Sequence, residues 1–245
     1  MVNAPATEDA VGKAKQYPGL GVGLHFNITF GRPVSRPDKV RTLVDERGHF
    51  YSRGILARKM LLQRVSTEEL VLELGAQFEQ MKSFGLNPTH IDSHQHVHAL
   101  PACFDTVAAF AASHCLPIRM PWILLPAGVQ APAARRVKQW TLKQLLARNS
   151  RHWNGRVNWN TGLGSIFDLG TVPDTPNVGH YRRLLEAAPA GVFELMVHPA
   201  RNSEELRGLT TIGKISEQEW RFLMTGGLPT LMSELGFTKA NYGDI

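Results

Sequence analysis

Two cysteines in 245 residues are too few for a disulfide framework. Cys103 and Cys115 lie along what reads as one helix and its exit, too far apart to bridge while that helix is intact, so both are expected as free thiols. Long apolar runs are also lacking. None approaches the roughly eighteen residues a spanning helix needs, and the opening stretch is broken by Glu8, Asp9, Lys13, Lys15 and Pro18. On that pattern neither a membrane span nor a secretory leader is expected, and the protein reads as cytoplasmic. Internal repeats and low-complexity tracts are missing too, which argues against a solenoid.

Acidic residues are in the minority, 21 against 27 basic ones, for a net charge of +6. That balance invites a nucleic-acid reading, but the basic residues are dispersed. The densest stretch runs from Arg135, Arg136 and Lys138 through Lys143, Arg148, Arg151 and Arg156, with Trp140 and Trp153 interleaved. A solvated helix face explains it most simply, and an acidic ligand or an oligomer contact is the alternative. No helix-turn-helix or stacking motif accompanies it, so no nucleic-acid partner is expected.

What is present is 43% hydrophobic content over a length that can bury one substantial core, expected as a single domain over residues 1–245. Helical and strand periodicities alternate, the pattern of a mostly parallel sheet wrapped by helices. Helices are expected over Ala4–Gln16, Ser66–Phe84, Pro101–Ser113, Arg135–Asn149, Tyr181–Ala188 and Ser216–Leu235, and strands over Gly21–Asn27, Pro117–Trp122 and Gly191–Pro199. Leu43–Tyr51 reads as a hairpin or covering flap around Glu46-Arg47-Gly48. Ser66 and Glu69 have the spacing of a reciprocal capping box. Ser150–Asn177 reads as loops around one short strand or helix.

The segment Thr89–His98 packs four histidines and an aspartate into ten residues. On an extended strand Asp92, His94, His96 and His98 would share one face, with His90 joining them one step earlier. Imidazoles and a carboxylate are poor candidates for a buried face without a partner, and a divalent metal is the natural one. These donors leave the ion open: imidazole suits Zn, Fe, Ni or Cu, while carboxylate and water tolerate Mg or Mn. His25, the Asp92–His98 cluster and His198 each fall near the carboxyl end of a predicted strand, the edge where parallel α/β folds build their sites. His94 and His25 are the expected metal ligands. Asp92 could ligate, orient an imidazole or bond backbone donors. His90 and His98 are as readily polar core residues.

These residues, in the order Val22–Thr29, Pro88–His98 and Glu194–Ala200, resemble the YdjC-like carbohydrate deacetylases, and the correspondence runs over nearly the whole chain. The resemblance implies a distorted, TIM-like (β/α) barrel. It also implies hydrolytic removal of N-acetyl groups from amino sugars or chitooligosaccharides by a divalent metal, Mg or Zn, bound by one Asp and two His. Carried over by motif, the two histidines are His25 and His94. The aspartate belongs to an Asp-Asp-Phe-Gly motif at the end of the family's first strand, which this sequence does not contain; Met1–Pro5 align with the second strand. The first strand and helix are therefore expected to be missing, with unpaired edges, weak metal binding and little activity.

For such a reaction His198, delivered by another strand end, is a candidate acid for the leaving amine, Arg119 an oxyanion or sugar contact or else a salt-bridge partner, and Asp92 a further catalytic group. Trp122 and His96 are candidate sugar contacts, with Trp153 and Trp159 as further stacking rings; core or loop packing is the alternative for each tryptophan. A homodimer is a family-based expectation. The competing readings are a non-catalytic sugar-binding remnant and a metal-dependent phosphoesterase, the latter weakened by the lack of a Gly-rich helix entry or convergent Arg and Lys near His25 and His94.

Overall fold

The computed structural model describes residues 1–124, 126–129, 133–201 and 203–245; the side chains of residues 101, 102, 134, 135, 138, 139, 205 and 209 are also outside that description. Arg135 and Lys138 of the basic stretch therefore lie outside the described side chains. The chain divides into two compact units, the first Met1–Met120 with Thr141–Trp159 and Asn241–Ile245, the second Pro121–Trp140 with Asn160–Ala240.

In the first unit, helix α1 (Thr7–Gln16) precedes strand β1 (Leu24–Phe26), followed by α2 (Arg53–Leu61), α3 (Thr67–Ser83), β2 (Ile91–Ser93) and α4 (Pro101–Ser113). Helix α3 buries Leu70, Leu74, Phe78 and Met81, the stripe that its three- and four-residue spacing places on one side. It packs on α4, whose Phe104, Val107, Ala108 and Ala111 are buried, and Phe78 meets Phe110 edge-on at 5.3 Å. Ser66 caps α3 by accepting from the Glu69 amide at 3.2 Å. The reciprocal half expected of Glu69 does not form. Its carboxylate accepts from the amide and hydroxyl of Thr42 instead, and the Thr42 hydroxyl accepts from the Ser66 amide. A neighbouring hydroxyl thus takes over half of the box. Leu43–Tyr51 is a tight hairpin, bridged at Val44 and Phe50 and turned at Gly48, whose φ of 73° favours glycine.

β1 and β2 run parallel, with Leu24 opposite Ile91, His25 opposite Asp92 and Phe26 opposite Ser93. Isolated parallel bridges extend the array from Ile91 to Ile118 and from Ile118 to Trp159. Cys103 is buried and Cys115 exposed, both free, and burial pushes the Cys103 thiol up to about 12.

Helix α5 (Ala133–Arg151) is longer at both ends than its periodicity suggests. The second unit contains β3 (Gly162–Gly164), α6 (Val178–Glu186), β4 (Phe193–Leu195), α7 (Glu204–Leu209), α8 (Gly213–Met224) and α9 (Gly227–Glu234). β3 and β4 are again parallel, with a bridge from Ile123 to Leu163. Ile166, Leu169, Tyr181, Leu184, Leu185 and Leu231 form its core, and Tyr181 stacks on Phe222 at 4.5 Å. The helix expected over Ser216–Leu235 is two helices, because Gly226 adopts φ 74° and ends the first.

The mixed α/β class holds. The closed barrel does not appear among the described residues, where the sheets are two open parallel pairs lengthened by single bridges. The strands are also shorter than their apolar runs. Part of the reason lies at Pro117 and Pro121, which flank Ile118 and supply no amide donor, so that segment pairs at a single residue rather than along a ladder.

Candidate active site

Directly opposed residues on parallel neighbours sit about 4.8 Å apart with side chains on the same face. Register alone therefore brings His25 to Asp92, and His25 Nδ1 lies 2.8 Å from Asp92 Oδ2. One residue past the Ile118 bridge, Arg119 donates its amide to the Ile91 carbonyl at 3.0 Å, and its guanidinium pairs with the same Asp92 oxygen. Asp92 is 4% exposed. Burial pushes its carboxyl upward, but the His25 hydrogen bond and the charges of His25, Arg119 and His90 outweigh that and hold it well below the usual carboxylate range. Asp92 thus carries a fixed negative charge that orients the His25 ring. Arg119 is engaged as its ion-pair partner, the alternative to an oxyanion or sugar contact.

The histidine segment does not share one face. The strand stops at Ser93, and His94–Ala99 form a 3-10 turn in which Gln95 and His96 both have φ 55°. Two successive non-glycine residues in the left-handed region cost about 1–2 kcal/mol each, the kind of local strain found where a side chain must be aimed. The turn separates the imidazoles. His94 meets His25 edge-on at 5.7 Å between ring centroids and Phe30 at 6.3 Å. His96 lies 6.5 Å from His98, with a buried Nδ1 that has no hydrogen-bond partner.

His98 is fully buried and consumed at both nitrogens: Nε2 donates to the Arg119 carbonyl at 2.7 Å, and Nδ1 accepts from the Ser93 hydroxyl. His90 leaves the cluster altogether, stacking on Tyr242 at 4.2 Å with its Nδ1 near the Thr89 hydroxyl. Gly23 makes this possible, since a Cβ there would come within 2.3 Å of the His90 ring.

Burial pushes His94 down to about 4, helped by the charges of His25 and the Met1 amino group and opposed by Asp92. Burial likewise takes His96 and His98 to about 4. At neutral pH these rings are uncharged, the form in which imidazole binds a metal. The donors thus fit a divalent ion in kind: a neutral His94 beside a His25 whose other nitrogen is held by a carboxylate, the usual outer support of a ligating histidine. They come as a pair. Among the described residues no group of three or more His, Cys, Asp or Glu converges as a metal cage.

His198 and Trp122 belong to the second unit. His198 follows the end of β4, its amide donating to Glu219 Oε2 at 2.8 Å and its ring edge-on to Phe167 at 5.5 Å. Glu219 is fully buried and also accepts from the Tyr181 hydroxyl at 2.9 Å; burial raises its carboxyl above the ordinary glutamate value against both hydrogen bonds. Trp122 is half-buried, and its carbonyl accepts from the Leu163 amide.

Two contributors were not evident from the sequence: Phe30 beside His94, and the polar trio Asn27, Glu73 and Gln77, all at 0% exposure. The only available signal was a Glu and a Gln four apart on the otherwise apolar face of α3, a spacing that aligns them on one side.

Residues 1–234 match the YdjC-like protein family. The chain belongs to that family. Its relatives include carbohydrate deacetylases of Clostridium beijerinckii, 43% identical over 119 residues, and of Geobacillus stearothermophilus, 47% over 122 residues. A chitooligosaccharide deacetylase of Yersinia pestis is 40% identical over 126 residues. Each match covers 49% of this chain and 45–46% of the relative, so the chain spans about half the length of the curated relatives it matches. In fold it is similar to the crystal structure of a protein of Enterococcus faecalis provisionally described as a cellobiose-phosphate cleavage protein, with a TM-score of 0.76 and 23% identity over 100% of this chain and 85% of the other. No helix among the described residues is long and apolar enough to cross a membrane.

Proposed function

We propose that this chain acts as a carbohydrate deacetylase, hydrolysing the N-acyl bond of an amino sugar or chitooligosaccharide with the help of a divalent metal, Mg or Zn. The observation that carries this reading is the pairing of His25 and His94, their rings 5.7 Å apart, with Asp92 fixing the first of them. The family match and the deacetylases among its relatives support it. His25 and His94 would hold the metal, which when bound supplies a water of lowered pKa and polarises the acyl carbonyl.

The chain's own residues do the rest. Asp92 holds the proton on His25 Nδ1 and leaves Nε2 as the donor atom. The His25 hydrogen bond, joined by the charges of His25 and Arg119, keeps Asp92 ionised at neutral pH, so the orienting bond persists there. His96, half-buried beside His98, is a candidate sugar contact. His198, in the second unit, has its main chain tied to Glu219.

Sugar binding without hydrolysis is the second reading, favoured by a donor set of two rather than three among the described residues. Calorimetric titration with Zn²⁺ and with Mg²⁺, run beside acetate release from diacetylated chitobiose, separates them. Under the first reading His94→Ala removes metal binding and acetate release together. Acetate release that survives loss of His25 or His94 would sink the metal-dependent reading, and sugar binding with no acetate at any metal concentration would establish the second.

A further inference from the structure

Beyond His25 the chain is tied down by an internal polar network. The Gln77 side-chain amide pairs with both main-chain groups of Asn27, accepting from its amide at 3.0 Å and donating to its carbonyl at 2.7 Å, as a neighbouring strand would. Gln77 also donates to Glu73 at 2.7 Å, and the Glu73 carboxylate accepts from the amides of Val34 and Ser35, both at 2.9 Å. The Asn27 carboxamide closes the loop from inside, accepting from the Thr29 and Phe30 amides and donating to the Phe30 carbonyl.

Three polar side chains at 0% exposure would be destabilising without partners, and with partners they specify one arrangement of the main chain rather than merely a collapsed one. What that arrangement holds in place is Phe30, partly exposed, edge-on to His94 at 6.3 Å. Ligand sites join a few placed polar groups to apolar and aromatic walls. Here the polar groups are His25 and His94, and the adjoining aromatic is Phe30.

We propose that Phe30 is a specificity-determining contact, a fixed apolar wall against which the ring or acyl methyl of an N-acylated amino sugar packs, and that Gln77 and Glu73 are positioning residues that hold it beside His94. The identity of the sugar rests on the deacetylase reading. The contact and its clamp are additional to that reading.

The test uses the full chain, with diacetylated chitobiose as probe, read by calorimetry, by acetate release and by amide hydrogen exchange. Phe30→Ala should weaken binding and raise KM about tenfold with a much smaller change in kcat, and Phe30→Leu should restore most of the loss. Gln77→Ala should speed exchange at the amides of residues 27–35 by about tenfold or more and weaken binding in step; Glu73→Gln, which keeps the side chain's shape, should do so less. Equal binding by the wild type and Phe30→Ala, or wild-type exchange in Gln77→Ala, would overturn the inference. A wild type that binds the probe but releases no acetate would remove the hydrolase reading and leave the wall standing. A wild type that does not bind it would overturn both.

Discussion

β1 and β2 pair in parallel over three residues, as do β3 and β4, yet what faces across the register differs. In the first pair His25 faces Asp92, and the segment is held by charge: a buried carboxylate shared between an imidazole and a guanidinium. In the second Leu163 faces Glu194 between two glycines, and close approach dominates, since a Cβ at Gly162 would come 2.9 Å from Pro189 and one at Gly164 2.8 Å from Phe193. A short parallel pair can thus be stabilised by compensating buried charge or by removing side chains so that neighbours fit. The first brings an imidazole and a carboxylate together across the register, and the second sets a leucine opposite a glutamate.

The sharpest way to break the comparison is Asp92→Ala. It removes the buried carboxylate that His25 and Arg119 share, and should cost about 3–5 kcal/mol in urea unfolding. Asp92→Asn should cost less because an amide oxygen still accepts from His25. A loss below about 1 kcal/mol for Asp92→Ala would mean that packing, not charge, holds the first pair.

The two units should also answer pH with opposite signs. His98 titrates near 4 in the folded protein against an ordinary 6.5, so as pH falls the unfolded chain takes up the proton first. Its contribution is complete above 6.5 and disappears between 6.5 and 4, amounting to about 3 kcal/mol. Glu219 is raised above the ordinary 4.5, so its contribution is complete below 4.5 and lost as pH climbs through the raised value. Unfolding free energies measured from pH 4 to pH 8 should show the acid loss in the wild type, and Glu219→Gln should flatten the rise in instability toward neutral pH. A wild-type protein that becomes steadily more stable on acidification would contradict the His98 assignment.

Smaller effects probe the second pair. Gly164→Ala should cost about 1–3 kcal/mol by forcing Phe193 aside, seen as a lowered Tm; an unchanged Tm would show that the ring yields freely. Just beyond β3, the Ser165 hydroxyl accepts from the Phe167 amide at 3.1 Å, and Ser165→Ala should remove about 1 kcal/mol. A loss near that size after a Gly164→Ala loss of 1–3 kcal/mol would rank close packing above capping in this pair.

The histidine segment shows where sequence reasoning succeeds and where it stops. Residue type and spacing single out His25, Asp92 and His94, because an imidazole or carboxylate at the end of an apolar run needs a partner wherever it is buried. The shared face of His94, His96 and His98 was an inference from strand periodicity, and it failed because the chain turns at Gln95 and His96. That turn is stabilised by contacts distant in sequence, notably the His98 bond to the Arg119 carbonyl. The capping residue Ser66 was legible for the opposite reason: its partner is three residues away.

Alone, the amino-acid order determined the alternation of helices and strands, the Ser66 cap of α3, and which titratable groups could not stand by themselves, all consequences of interactions within a few residues. Tertiary structure decided that His25 meets Asp92, that Arg119 pairs with the carboxylate, that His90 stacks on Tyr242 and His98 bonds the Arg119 carbonyl, and that Phe30 lies beside His94. Each of those depends on the register between segments tens of residues apart, and register is set by the whole packed core.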